Sequence, residues 1–141
     1  MISQLDHLNL SISNFDETVS WYRRILGFTP VESGVQSGQR WCILRAGEAM
    51  LCLYDAPDTV GRSGGFNHLA LRIRDRAALE RSLREHQVPI NHGGLWRHPH
   101  SDAYYLVDPA GNHLELVLWD QDQVSFADRP DGLALSSGSR R

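Results

Sequence analysis

The segment Leu5-Asp6-His7-Leu8-Asn9-Leu10 returns later in the same chain as Phe66-Asn67-His68-Leu69-Ala70-Leu71. No other feature constrains the fold as strongly. Both copies alternate apolar and polar residues, the two-residue period of a half-buried strand. Each leads into a segment of helical period. The first carries Phe15, Val19, Tyr22, Ile25 and Leu26, starts near Asn14 or Asp16, and stops at Gly27. The second opens on Asp75 as N-cap, carries Leu79 and Leu83, and ends near Gln87-Val88-Pro89. Hairpins follow each helix. One pairs residues 40–45 with 49–54 around Gly47; the other pairs 103–107 with 113–118 around Asp108-Pro109-Ala110-Gly111-Asn112. A weaker strand is expected before each hairpin, near Phe28 to Val35 and near Ile90 to Leu95.

The chain therefore reads as α+β, with two tandem β-α-β-β-β modules at residues 1–55 and 66–120. A linker at 56–65 joins them, and a polar tail at 121–141 follows. A module of this size is too small to bury a sizeable core alone. The two are expected to unite as one domain, a curved, cup-shaped mixed sheet with helices on its outer face.

Composition narrows the function. The 141 residues are 41% hydrophobic and 22% charged, as in an ordinary globular chain. No apolar run reaches the ~18–20 residues of a membrane span. The net charge of −3 comes from scattered signs, which argues against nucleic acid as a partner. All 14 basic residues are arginine. That excludes a lysine Schiff base and a phosphate-loop lysine. Cys42 and Cys52 are too few for a disulfide scaffold and are read as reduced thiols. No Cys-x-x-Cys or His-x-x-x-His pair exists for a zinc finger. The first residues lack the basic region and apolar core of a secretory signal, so a cytoplasmic location is expected.

Strand alternation then assigns faces. Leu8, Leu10 and Ile12 turn toward the helices, as do Leu69, Leu71 and Ile73, and Leu114, Leu116 and Leu118. The opposite faces carry His7 and Asn9, then His68, then His113 and Glu115. Two histidines at equivalent places of a repeat, with a carboxylate on another strand, form a 2-His-1-carboxylate set. Such a set suits one divalent metal with open coordination positions.

The motifs Leu5-Asp6-His7-Leu8, Trp21-Tyr22-Arg23-Arg24-Ile25-Leu26-Gly27-Phe28, Asn67-His68-Leu69-Ala70-Leu71 and Tyr105 through Leu116 carry a resemblance. The chain resembles the vicinal oxygen chelate superfamily of glyoxalase I, fosfomycin-resistance proteins, bleomycin-resistance proteins and extradiol dioxygenases. The resemblance implies His7, His68 and Glu115 as ligands to one Fe(II), Mn(II), Ni(II) or Zn(II) per chain, a small-molecule substrate with vicinal oxygens, and a homodimer. It places Cys52 where glyoxalase I has a glutamate ligand; Glu48 shares that face as another candidate. It gives Tyr105 and His98 the role of supplying hydrogen bonds or protons to bound oxygens. Asn9, Trp41, Cys52, Arg97 and His113 are expected around the substrate.

Extradiol-type ring cleavage is the first expectation for the reaction. Tyr105 stands ten residues before Glu115, and Arg97-His98 resembles the family's Arg-His loop. The strand with Leu53 and Tyr54 nevertheless lacks the extradiol acid-base histidine. Thiol transfer of the fosfomycin-resistance type and lactoylglutathione lyase activity are the alternatives. The first departs at the lysine-free composition and at Pro99, His100 and Ala103, which replace its potassium-loop residues. Drug sequestration of the bleomycin-resistance type is the non-enzyme alternative.

Overall fold

The computed structural model describes residues 1, 4–58 and 67–121. The first half runs β1 (Leu8–Ile12), α1 (Phe15–Leu26), β2 (Thr29–Gln36), β3 (Gln39–Ala46) and β4 (Ala49–Asp55). The second runs β5 (Leu69–Arg72), α2 (Arg76–Glu85), a 3-10 turn at Asn91–Gly93, β6 (Trp96–His98), β7 (Ser101–Val107) and β8 (His113–Trp119). Two four-stranded sheets result, ordered β1-β4-β3-β2 and β5-β8-β7-β6. The repeat in the sequence is thus a repeat in topology. In each half the first strand runs parallel to the last, and the remaining pairs are antiparallel. Residues 59–66 of the expected linker and second repeat, and the tail from 122 onward, lie outside the described residues.

Local chemistry explains the helices. α1 places Asp16 and Glu17 in its first turn and Arg23 and Arg24 in its last, matching the helix dipole. Gly27 ends it with φ 70°, a left-handed conformation that glycine adopts without a Cβ clash. At α2 the Asp75 carboxylate accepts from the Ala78 N–H at 2.9 Å, the expected N-cap.

The helix-facing residues of both halves share one core, including Ile12, Tyr22, Leu44, Leu53, Leu106 and Leu116. α1 touches α2, where the Ser82 hydroxyl donates to the Ile25 carbonyl at 2.6 Å. Asn14 Nδ2 donates to the Pro109 carbonyl at 3.0 Å, and Tyr22 donates to Asp108. The halves are therefore joined back to back through helices and turns. The sheets share no strand pairing among the described residues.

The strand expected near Ile90 to Leu95 is instead the 3-10 turn, with β6 beginning at Trp96. His92, Gly93 and Gly94 have φ of 60°, 77° and 125°, which extended backbone does not allow. Cys42 and Cys52 are both free and buried. Cys42 pairs with Leu53 and Cys52 with Ile43, so the two thiols face opposite sides of the sheet. No helix among the described residues is long and apolar enough to cross a membrane.

Candidate metal centre

Register brings one group together on the β5-β8-β7-β6 sheet. Glu115 of β8 lies between Ala70 of β5 and Tyr105 of β7, on the side away from α2. His68, just before β5, sets its Nε2 3.0 Å from Glu115 Oε2. The Tyr105 hydroxyl donates to Glu115 Oε1 at 3.0 Å. His98 Nε2 lies 2.8 Å from that hydroxyl oxygen. With the hydroxyl proton committed to Glu115, the oxygen accepts from His98 Nε2–H. The carboxylate, buried to 8% exposure, thus meets a histidine on one oxygen and a Tyr-His relay on the other.

The histidines are oriented by their chain neighbours. His68 Nδ1 lies 2.9 Å from Asn67 Oδ1, and His7 Nδ1 lies 2.7 Å from Asp6 Oδ2. A donor bond from Nδ1–H leaves Nε2 with its lone pair outward, the tautomer a metal takes. At His68 the Nε2 atom lies 3.0 Å from a carboxylate oxygen. An Nε2–H donating to Glu115 meets that spacing, and so does a cation ligated by both atoms. One imidazole and one carboxylate side by side are a donor set that fits a divalent ion.

Among the described residues no three His, Cys, Asp or Glu side chains gather closely enough to hold a metal. His68 and Glu115 meet, and His7 stands outside their group. His7 precedes β1 of one sheet, whereas His68 and Glu115 belong to the other.

The other expected site residues divide between the two sheets. Asn9 and Cys52 pair across β1 and β4 and share a face, with Cys52 buried. Trp41 is opposite Tyr54 on that face, and its indole covers Gly34. Glu48 lies exposed in the β3–β4 turn, and neither it nor Cys52 joins a metal-holding group. His113 sits exposed at the start of β8 on the Glu115 face. Arg97 is a correction. Alternation along β6 sends Trp96 and His98 toward Tyr105 and turns Arg97 to the helix side with Asp102. There Arg97 grips Asp120 with two bonds of 2.7 and 2.6 Å and reaches Asp102 at 3.2 Å. Asp102 also binds Arg76 of α2 at 2.8 Å. Arg97 thus fastens β6 to the Asp102 and Asp120 carboxylates.

His92, in the turn before β6, is exposed. Its ring nevertheless packs against Tyr105, with centroids 5.3 Å apart. The Gly93-Gly94 pair that follows was the available signal, since it marks a reversal able to fold a side chain back over the sheet.

The family model described as Glyoxalase/Bleomycin resistance protein/Dioxygenase superfamily matches residues 4–116. The chain belongs to this superfamily. It is 27% identical over 135 residues to Catechol-2,3-dioxygenase of Bacillus subtilis (strain 168), covering 91% of this chain and 42% of that protein. The chain thus spans less than half the length of that relative. It is 26% identical over 124 residues to Glutathione transferase FosA of Serratia marcescens, covering 82% of this chain and 81% of that one. Both of these superfamily relatives are enzymes.

Solved structures of the superfamily share the fold. A glyoxylase/bleomycin resistance protein/dioxygenase domain from Frankia sp. EAN1pec superposes with TM-score 0.74 at 17% identity, covering 87% of this chain and 96% of that one. The fosfomycin resistance protein FosX from Listeria monocytogenes, in complex with Mn(II) and sulfate ion, superposes with TM-score 0.64 at 18% identity, covering 84% and 93%.

Proposed function

We propose that this chain is a divalent-metal-dependent enzyme acting on a small substrate with vicinal oxygens, and that the reaction is extradiol-type ring cleavage. The observation that carries the reading is the continuous relay from His98 through Tyr105 to Glu115, with His68 on the second carboxylate oxygen. His68 and Glu115 would hold the metal from one chain. His7 would come from a second copy in a homodimer, its Nε2 already freed by Asp6. The outer edges of β1 and β5, unpaired among the described residues, are consistent with such an assembly. When bound, the metal supplies Lewis-acid activation of chelated oxygens and, as iron, the redox capacity for ring cleavage with O2.

The chain's own residues supply proton control. Tyr105 keeps one Glu115 oxygen hydrogen-bonded and so limits how the carboxylate turns. His98 stands behind the hydroxyl and can replace a proton that Tyr105 gives to a substrate oxygen. The relay is partly buried, which shields it from bulk water.

The test is anaerobic reconstitution with Fe(II), a panel of catechols, and then oxygen. A yellow ring-fission product that disappears in Tyr105→Phe or His98→Ala supports the reading. Absence of oxygen uptake with every catechol sinks it. A second reading is thiol transfer to an epoxide, favoured by the match over 81% of FosA. Its signature is thiol-dependent loss of fosfomycin with Mn(II). Tight drug binding without turnover under either condition would instead mark a sequestration protein.

A further inference from the structure

Tyr105 is held at its ring as well as at its hydroxyl. The His92 ring lies 5.3 Å from the Tyr105 ring with the planes at 85°. That is the edge-to-face arrangement ring quadrupoles favour. The same imidazole meets Trp96 at 6.0 Å and 73°. His92 therefore stands between the hydrogen-bonded tyrosine and an exposed indole.

It reaches that place only through an uncommon backbone. His92 has φ 60° and ψ 23°, in the left-handed region, and Gly93 and Gly94 follow at positive φ. A Cβ at either glycine would meet no atom within 4 Å, so backbone shape rather than space is what they provide. Glycine at 92 would adopt the same shape without steric penalty, yet the chain carries an imidazole there. His92 is exposed, so burial of its own ring is not the gain. A conformational outlier with a specific ring contact points toward function.

We infer that His92 is a positioning residue for Tyr105. Its ring braces the phenol so that the hydroxyl stays on Glu115 Oε1. The contact itself stands apart from any metal; its effect on metal binding rests on the proposed ligand role of Glu115. A group hydrogen-bonded to a metal ligand, the place Tyr105 would hold beside Glu115, commonly changes metal affinity by roughly 10–100-fold; His92 acts one step further out and draws on the lower end of that range.

The experiment compares His92→Gly, His92→Asn and His92→Phe with Tyr105→Phe and Glu115→Ala. Asparagine tolerates the left-handed backbone but has no ring, while phenylalanine restores a ring. In metal-free protein labelled with 3-fluorotyrosine, the Tyr105 resonance is assigned by its loss in Tyr105→Phe. It is expected to shift or broaden in His92→Gly and His92→Asn and to recover in His92→Phe. The resonances of Tyr22, Tyr54 and Tyr104 are expected to hold. An unchanged Tyr105 resonance in both ring-free variants overturns the inference.

Mn(II) titration supplies the second arm. Affinity is expected to fall about tenfold in His92→Gly. Adding His92→Gly to Tyr105→Phe is expected to cause no further loss. A further tenfold loss there overturns the inference, because His92 would then act by another route. If Glu115→Ala binds Mn(II) as tightly as the unmodified protein, the metal reading fails, and the fluorine result alone decides for or against His92.

Discussion

The Tyr22 hydroxyl donates to Asp108 Oδ2 at 2.8 Å, joining α1 of the first half to the β7–β8 turn of the second. Both residues are buried. Burial, with the neighbouring carboxylate, holds the Tyr22 phenol well above its usual pKa, so it remains a neutral donor. Asp108 also accepts from the Ala110 and Asn112 N–H groups and from Asn112 Nδ2. One carboxylate thus shapes a turn and locks two modules.

Tyr22→Phe is expected to lower unfolding free energy by about 1.5–3 kcal/mol, the range for a hydrogen bond to a charged group. Urea denaturation checks this. A midpoint matching the unmodified protein would show that the joint does not depend on this bond.

Acid is expected to loosen the helix-side ion network. Hydrogen bonds from Arg97 hold the Asp120 carboxyl below its ordinary 3.8, and bonds from Arg76 and Tyr104 hold Glu80 below 4.5. Both native values are depressed relative to the unfolded chain. Their stabilisation is therefore complete above the ordinary carboxylate range and disappears as pH falls through the lower native values. Asp120 is exposed and Glu80 half-buried at the surface, so the effect is modest and salt-sensitive. Arg97→Gln should flatten the acid limb of a stability profile in low salt. Identical limbs in both proteins would rule the network out as a contributor.

A site shared between two chains predicts complementation. Sedimentation should give twice the 15.9 kDa chain mass. Elemental analysis of untagged protein purified without chelator should give roughly one metal per chain, and His7→Ala, His68→Ala and Glu115→Ala should each lose it. Mixing His7→Ala with Glu115→Ala subunits should recover metal, because one site of each mixed dimer is intact. Recovery of none, from subunits shown to exchange, would refute a shared site.

Gly34→Ala should disturb Trp41. An added Cβ would lie 2.9 Å from Trp41 Cζ2, closer than side chains tolerate. The expected loss is about 1–3 kcal/mol, typical of overpacking, with a shift in tryptophan emission. Unaltered emission and stability would mean the indole can simply step aside.

Much of this molecule was legible because its information is local. The alternation around His7 and His68, Gly27 as a stop and Asp75 as a cap each reports one backbone state, and each appears where expected. Counting along the last strand put Glu115 on the face away from the helices, while Tyr105 came from the family resemblance, and the register of β7 against β8 sets the two side by side. Arg97 was misplaced because the Arg97-His98 pair was read as a unit. Adjacent strand residues point apart, and one residue of register decides between substrate and α2. His92 escaped because left-handed backbone carries no periodicity. The separation of His7 from Glu115 depends on how two modules dock, which no short segment encodes.

The parallel pairings carry a consequence for synthesis. Among the described residues β1 pairs only with β4, and β5 only with β8, so each module waits for its final strand before its first gains that neighbour. During translation the Leu8–Ile12 segment must remain unpaired until the ribosome has released Asp55. Loop closure of this kind is slow relative to local hairpins. Removing β8 alone would therefore strand β5 as well, and a nonsense codon near His113 would reduce the second sheet to the β6–β7 hairpin rather than trim its end.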